Sequence, residues 1–254
     1  AKLIAIPSTS GTASEITAFS VITDTKNHIK YPLVSTEMIP DIAILDPALP
    51  AKMPKHITAN TGMDVLAHAI EAYVSTAASP YTDALAIQAI KLVLENIVTA
   101  YEHGDNMEAR NNMHNASALA GMAFTNASLG LIHSLAHKIG GEFGITHGLT
   151  NAILLPYIIQ FNRKSTDKVS KLEKDLGIEN LSSCIKELNE KLDIPLNFKD
   201  VTEVDMNEDK FKEVLVRMSE NAYNDPCTAT NPRESDPKIV EMIYTSAYYG
   251  KDID

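Results

Sequence analysis

The sequence has no tryptophan and only two cysteines, Cys184 and Cys227. Neither cysteine sits in a CxxC pair, so they build no disulfide framework, and two reduced thiols fit a reducing compartment. Basic residues are also short, with 22 Lys and Arg against 33 Asp and Glu, a net charge of -11. That deficit argues against nucleic acid, whose phosphates need surplus positive charge, and against an anionic membrane surface. Long apolar runs are missing too. The longest, Ala152 to Ile159, is short and carries Pro156, so no membrane-spanning stretch is expected. The opening Ala1-Lys2-Leu3-Ile4-Ala5-Ile6-Pro7 lacks the long apolar core of a signal peptide. These absences together predict a soluble cytoplasmic protein.

An apolar share of 44% across 254 residues supplies a sizeable core. The chain opens without Met and inside an apolar run, which reads as a piece of something longer. Its first 48 residues have strand character. Leu3 to Ile6, Phe19 to Thr23, Ile29 to Val34 and Asp41 to Pro47 are short and rich in Val, Ile, Thr and Tyr, with a turn over Asp24 to Asn27. Four such strands, without covering helices, read as the edge of an α/β domain. From about residue 50 the periodicity is helical, giving a mainly α fold. Helices are expected over Ile57 to Val74, Tyr81 to Tyr101, Asn106 to Phe124, Asn126 to Gly141 and Gly148 to Phe161, the last broken or kinked at Pro156. More amphipathic helices follow over 170–176, 181–192, 209–222 and 236–249. Residues 1–48 and 49–254 are thus expected to form two domains.

Chemistry concentrates in two segments. Gly62-Met63-Asp64-Val65-Leu66-Ala67-His68 places a carboxylate and an imidazole four residues apart, side by side on one helix face. His133 and His137 repeat that spacing, and His147-Gly148 follows ten residues later. A carboxylate with several imidazoles is a ligand set for Zn²⁺ or Fe²⁺. A single such pair arises often by chance, and a lone histidine on a helix is more often a satisfied polar residue. Two pairs and a further His-Gly bring a metal site to about even weight with that plain reading.

These segments resemble the metal motifs of the iron-containing (group III) alcohol dehydrogenases. Gly62 to Glu71 is similar to the first motif, and Gly130 to His137 with His147-Gly148 to the second. Pro7-Ser8-Thr9-Ser10-Gly11-Thr12-Ala13-Ser14-Glu15 resembles the family's cofactor segment. Asp225-Pro226-Cys227-Thr228-Ala229-Thr230-Asn231-Pro232-Arg233 resembles a segment of its butanol, propanediol and bifunctional aldehyde/alcohol dehydrogenase branches. The resemblance implies a helical domain of the dehydroquinate synthase-like type, preceded by the edge of a nucleotide-binding domain. It implies Asp64, His68, His133 and His147 as ligands of Fe²⁺ or Zn²⁺, and His137 beside them without being a ligand, either as a catalytic residue that relays the alcohol proton or as one that holds a ligand or the ribose in place. It implies Ser8, Thr9, Thr12 and Lys30 along an NAD or NADP cofactor, although a lone Lys after a turn is usually only solvated. The implied reaction is hydride transfer between a small primary alcohol or aldehyde and the nicotinamide. Many members are dimers or larger, so a homo-oligomer is also implied.

The family's Gly-Gly-Gly-Ser phosphate loop has no counterpart in this sequence, and a phosphate cradle needs consecutive backbone N–H groups at a helix start. The chain therefore reads as a catalytic domain whose nucleotide-binding partner domain lies outside it, inactive alone. Two other readings stand beside this one: a non-catalytic metal-binding or assembly module, and a glycerol dehydrogenase-like polyol oxidoreductase.

Overall fold

The computed structural model describes residues 2–24 and 29–253, without the side chains of residues 21, 23, 24 and 29–32. The expected turn over Asp24 to Asn27 therefore falls largely outside the described residues. The described chain is mainly α-helical, as expected, with short strands near its start, and it divides into two compact units. One comprises residues 1–73 and 77–128, the other residues 74–76 and 129–254.

In the first unit the strands form two separate pairs rather than one sheet. β1 (Ile4–Ala5) runs parallel to β4 (Ile42–Ala43), with Ile4 opposite Ile42. β2 (Phe19–Asp24) and β3 (Ile29–Val34) form an antiparallel hairpin with Phe19 opposite Val34. Three long helices follow: α1 (Lys55–Val74), α2 (Pro80–Glu102) and α3 (Met107–Ala127). Ser79 opens α2 with a reciprocal cap, its hydroxyl accepting from the Thr82 amide while the Thr82 hydroxyl accepts from the Ser79 amide. α2 has the length and mean hydropathy of a membrane span, although polar residues interrupt its apolar ones. It packs along α3 and buries Ala86, Ala89, Ile90, Val93 and Ile97, as a core helix does.

The small residues of α3 serve a close approach. A Cβ on Gly121 would lie 2.4 Å from the Cβ of Ala13, and one on Gly11 would lie 2.8 Å from the Cβ of Thr61. Ala13 itself has φ of 52°, in the left-handed region that L-residues seldom adopt. The segment from Pro7 to Glu15 is thereby pressed onto α1 and α3. Ser10 adds a hydrogen bond of 2.8 Å between its Oγ and Nδ1 of the buried His114.

The second unit is built around α5 (His147–Asn162), in which every residue from Leu149 to Ile159 is buried. α4 (Leu131–Phe143), α7 (Leu181–Lys191) and α9 (Pro237–Tyr249) pack on it, and α8 (Glu208–Tyr223) packs on α4 and α9. α6 (Lys168–Leu176) carries Glu173, whose carboxylate pairs with Arg163 and accepts the Leu181 amide at 2.7 Å. The sequence pattern started a helix at Asn126, whereas α3 runs on to Ala127 and α4 starts at Leu131. Ser128, with φ of 62°, and Gly130 reset the backbone between them.

Pro156 does not break α5. Proline has no N–H to give to the carbonyl four residues back, which here is Ala152. Asn189 of α7 supplies that bond instead, its Nδ2 donating to Ala152 O at 2.8 Å. Asn189 is fully buried, so removing the donor strands a carbonyl away from water. Asn189→Ala should lower unfolding free energy by about 2 kcal/mol in urea titration. A change within experimental error would mean the carbonyl needs no partner.

Candidate metal centre

In the first unit, Asp64 and His68 lie one turn apart on α1, and both are buried. Asp64 Oδ1 stands 3.9 Å from His68 Nε2, too far for a hydrogen bond and near enough for both to serve one acceptor of lone pairs. The His68 ring stacks on Phe124 of α3, with centroids 4.5 Å apart and planes at 27°, which fixes its orientation.

In the second unit, α4 presents His133 and His137 on one face. The left-handed turn at Gly144, with φ of 75°, ends α4 and returns the chain so that His147 opens α5. The ring centroids of His133 and His147 are 5.3 Å apart, and those of His137 and His147 are 5.5 Å apart with planes at 13°. Asn151, one turn beyond His147, sits within hydrogen-bonding distance of both candidate ligands. Its Nδ2 is 3.2 Å from His133 Nε2 and 3.1 Å from His147 Nε2. With the amide donating, both imidazoles offer Nε2 lone pairs toward one point. Converging lone pairs on neutral imidazoles are what a divalent cation requires. Each pair by itself offers donor types that a divalent ion takes, a buried carboxylate and imidazole on α1 and two imidazoles at the turn from α4 to α5.

Next to this lies a group whose roles the sequence did not reveal. The Asp225 carboxylate is almost wholly buried, 2% exposed, and accepts from His137 Nδ1 at 3.2 Å, Lys138 Nζ at 2.7 Å and the Cys227 amide at 3.0 Å. Burial pushes its pKa up, but the hydrogen bonds and charges of His137 and Lys138 outweigh that and hold it well below the usual carboxylate range. Asp225 stands in a segment already singled out by motif, yet its partners lie 87 and 88 residues away, a separation no local spacing encodes. Asn151 was the easier one to find, since it shares a helix face with His147 four residues earlier.

The residues expected along the cofactor show a clear alternation. Ser8 and Thr12 are exposed and Thr9 is half-buried, whereas Ser10, Gly11, Ala13 and Glu15 face inward. The segment thus holds itself by one side and leaves Ser8 and Thr12 open to solvent. Burial raises the pKa of Glu15, and it lowers that of His114 against opposing effects of the Pro7 carbonyl and Asp46. Lys30 lies on β3 opposite Thr23, and its side chain falls outside the described residues.

Comparison with known proteins gives the family of the chain. Residues 1–47 match the family described as iron-containing alcohol dehydrogenase. Residues 58–248 match the Fe-containing alcohol dehydrogenase family, C-terminal. The chain is 48% identical over 264 residues to an NADPH-dependent butanol dehydrogenase of Clostridium saccharobutylicum, covering all of this chain and 67% of that protein. It is 44% identical to an aldehyde-alcohol dehydrogenase of Streptococcus pneumoniae, covering 98% of this chain and 30% of that one. Its fold superposes on the iron-containing alcohol dehydrogenase of Thermococcus thioreducens with a TM-score of 0.91 at 40% identity, covering 98% of this chain and 65% of that structure. The chain therefore spans between about a third and two thirds of the length of these relatives. With matches to both parts of the family, in order, across nearly its whole length, the chain belongs to the iron-containing alcohol dehydrogenase family.

Proposed function

We propose that this chain forms the metal-binding and substrate-activating part of an alcohol dehydrogenase that passes hydride between a small primary alcohol or aldehyde and NAD or NADP. The observation that carries this reading is the convergence of His133 Nε2 and His147 Nε2 on the Asn151 amide. That arrangement is matched in the first unit by Asp64 and His68 one turn apart. Neither pair alone meets the three or four protein ligands usual for a catalytic divalent ion, so we assign all four to one ion. The carboxylate and three neutral imidazoles leave Fe²⁺ or Zn²⁺ a net positive charge, and a bound ion supplies Lewis acidity that polarises the alcohol or aldehyde oxygen. Zinc has the higher intrinsic affinity for such donors, so selection of iron depends on supply. The family name favours iron.

His137 stands beside the proposed ligands, its ring nearly parallel to that of His147. We assign it the proton that leaves or joins the substrate oxygen, a task suited to an imidazole. Ser8, Thr9 and Thr12 are assigned to the nicotinamide nucleotide because Ser8 and Thr12 face solvent on a segment fixed from behind. Lys30 joins them on the resemblance of the sequence. The hydride chemistry itself belongs to the cofactor, and these residues orient it.

A dinucleotide's pyrophosphate calls for a Gly-rich loop that this sequence does not contain. These 254 residues should consequently bind metal yet show no turnover above background with 1-butanol and NAD or NADP. Robust reduction of either nucleotide by the purified, metal-loaded chain would overturn the view that a further nucleotide-binding domain is needed.

A further inference from the structure

The Asp225 group invites two explanations. His137, Asp225 and Cys227 bring one nitrogen, one carboxylate oxygen and one sulfur within 4.8 Å of one another, a set that could suggest a second metal. Lys138 argues against it. Its ammonium sits 2.7 Å from the same Oδ2 that faces His137 and already neutralises the carboxylate. A cation placed there would meet a like charge at contact distance.

We propose instead that Asp225, held by Lys138 and the Cys227 amide, is the positioning residue for His137, fixing both its tautomer and its ring orientation. This role rests on the assignment of His137 given above and deepens it. An ionised carboxylate only accepts hydrogen bonds, so the 3.2 Å contact requires that His137 Nδ1 carry the proton. In the neutral ring, Nε2 is then the lone-pair nitrogen, the form needed to take a proton from a hydroxyl. Asp225 is itself held on three sides. Its Oδ1 caps the short 3-10 helix Pro226–Thr230 through the Cys227 amide. Lys138 binds Oδ2, and the Asp225 backbone amide donates to Ala222 O at 3.1 Å. A carboxylate so fixed, next to a histidine one helical turn from His133, sets the angle at which that ring is presented. The same logic governs an aspartate that orients a catalytic histidine elsewhere in enzymology.

Substitution by asparagine separates orientation from mere packing. In Asp225→Asn one face of the amide must oppose a donor. If its NH₂ takes the Oδ1 place it meets the Cys227 amide, and if it takes the Oδ2 place it meets Lys138 and makes His137 Nδ1 an acceptor. The experiment is long-range ¹H–¹⁵N correlation of histidine-labelled full chain without metal, at about pH 8, with His137 assigned from a His137→Gln sample. The parent should show the Nδ1–H tautomer of His137 in roughly tenfold excess or more, as expected of a charge-assisted hydrogen bond. Asp225→Asn, which can keep a neutral oxygen toward His137 and Lys138 but not the charge, should cut the Nδ1–H excess severalfold. Lys138→Met, which keeps the His137–Asp225 contact, should retain Nδ1–H. A folded Asp225→Asn chain with the parent's full Nδ1–H excess would overturn the proposal, as would Nε2–H in the parent. Should Asp225→Asn fail to fold, Asp225→Glu and Lys138→Met carry the same test: Nε2–H in excess in both would refute positioning by the carboxylate. Metal binding measured on separate portions of the same preparations, loaded with Fe²⁺ or Zn²⁺, keeps the two ideas apart, because a parent that binds no metal but shows the expected tautomers would sink the metal reading and leave this one standing.

Discussion

His133→Ala should leave a folded chain that no longer retains a divalent ion. His133 is buried on α4 and offers Nε2 beside that of His147. Apparent binding free energies of structural zinc sites run to about 10–16 kcal/mol over four ligands, so one ligand is worth roughly 3 kcal/mol, a hundredfold or more in affinity. The parent, purified without oxygen and dialysed against Fe²⁺ or Zn²⁺, should hold one equivalent by elemental analysis. His133→Ala and Asp64→Ala should each hold close to none. The proposal places these two ligands in separate compact units of the chain. Equal loss from both variants therefore tests whether a single ion uses both. Unfolding gives an independent readout. At an ion concentration about a hundredfold above the parent's Kd, the parent should gain about 2.7 kcal/mol, and the variants about 0.4 kcal/mol or less. One equivalent retained in both variants would show that the ion sits elsewhere.

The second large effect concerns stability against acid. Asp225→Ala should cost about 3 kcal/mol at neutral pH. Removing one partner of a buried ion pair costs about 3–5 kcal/mol because the other charge is left without compensation, and the Lys138 side chain, 21% exposed, lets water offset part of it. The sign of the pH dependence follows from the direction of the shift. The folded-state pKa of Asp225 lies below the unfolded value of about 3.9, so the folded state binds fewer protons there. Its stabilising contribution is complete above that unfolded value and is lost as the pH falls toward the folded value. Urea unfolding of parent and variant should thus differ most at pH 7 and 5 and converge below about pH 4. A gap of the same size at pH 7 and pH 3 would trace the loss to packing rather than to the ionised carboxylate.

Both experiments bear on residues that the sequence disclosed to very different degrees. Asp64 with His68, and His133 with His137, stand out because a helix turns once in about four residues and places such pairs on one face. The fold class was equally legible, since α2, α3, α7, α8 and α9 carry their own caps and periodicity. Ser79, Asn106, Asn180, Asn207 and Asp236 each accept a backbone amide at the start of a helix. Of the break or kink expected at Pro156, the break does not occur, for an equally physical reason. A proline normally costs a helix one hydrogen bond, and the replacement comes from Asn189, 37 residues from the carbonyl it serves.

The sequence by itself determined the local order of this protein: which stretches are helical, where they start, and which imidazoles and carboxylates share a helix face. These are properties of neighbours within a turn or two, and periodicity records them. Only the tertiary structure decided which lone pairs converge and what holds them. Asn151 at both His133 and His147, Asp225 between His137 and Lys138, and Ala13 pressed against Gly121 depend on where separate elements pack. Burial makes those contacts binding. A carboxylate shut away from water must find its donors wherever the fold brings them, and the sequence positions of those donors carry no local trace of the pairing.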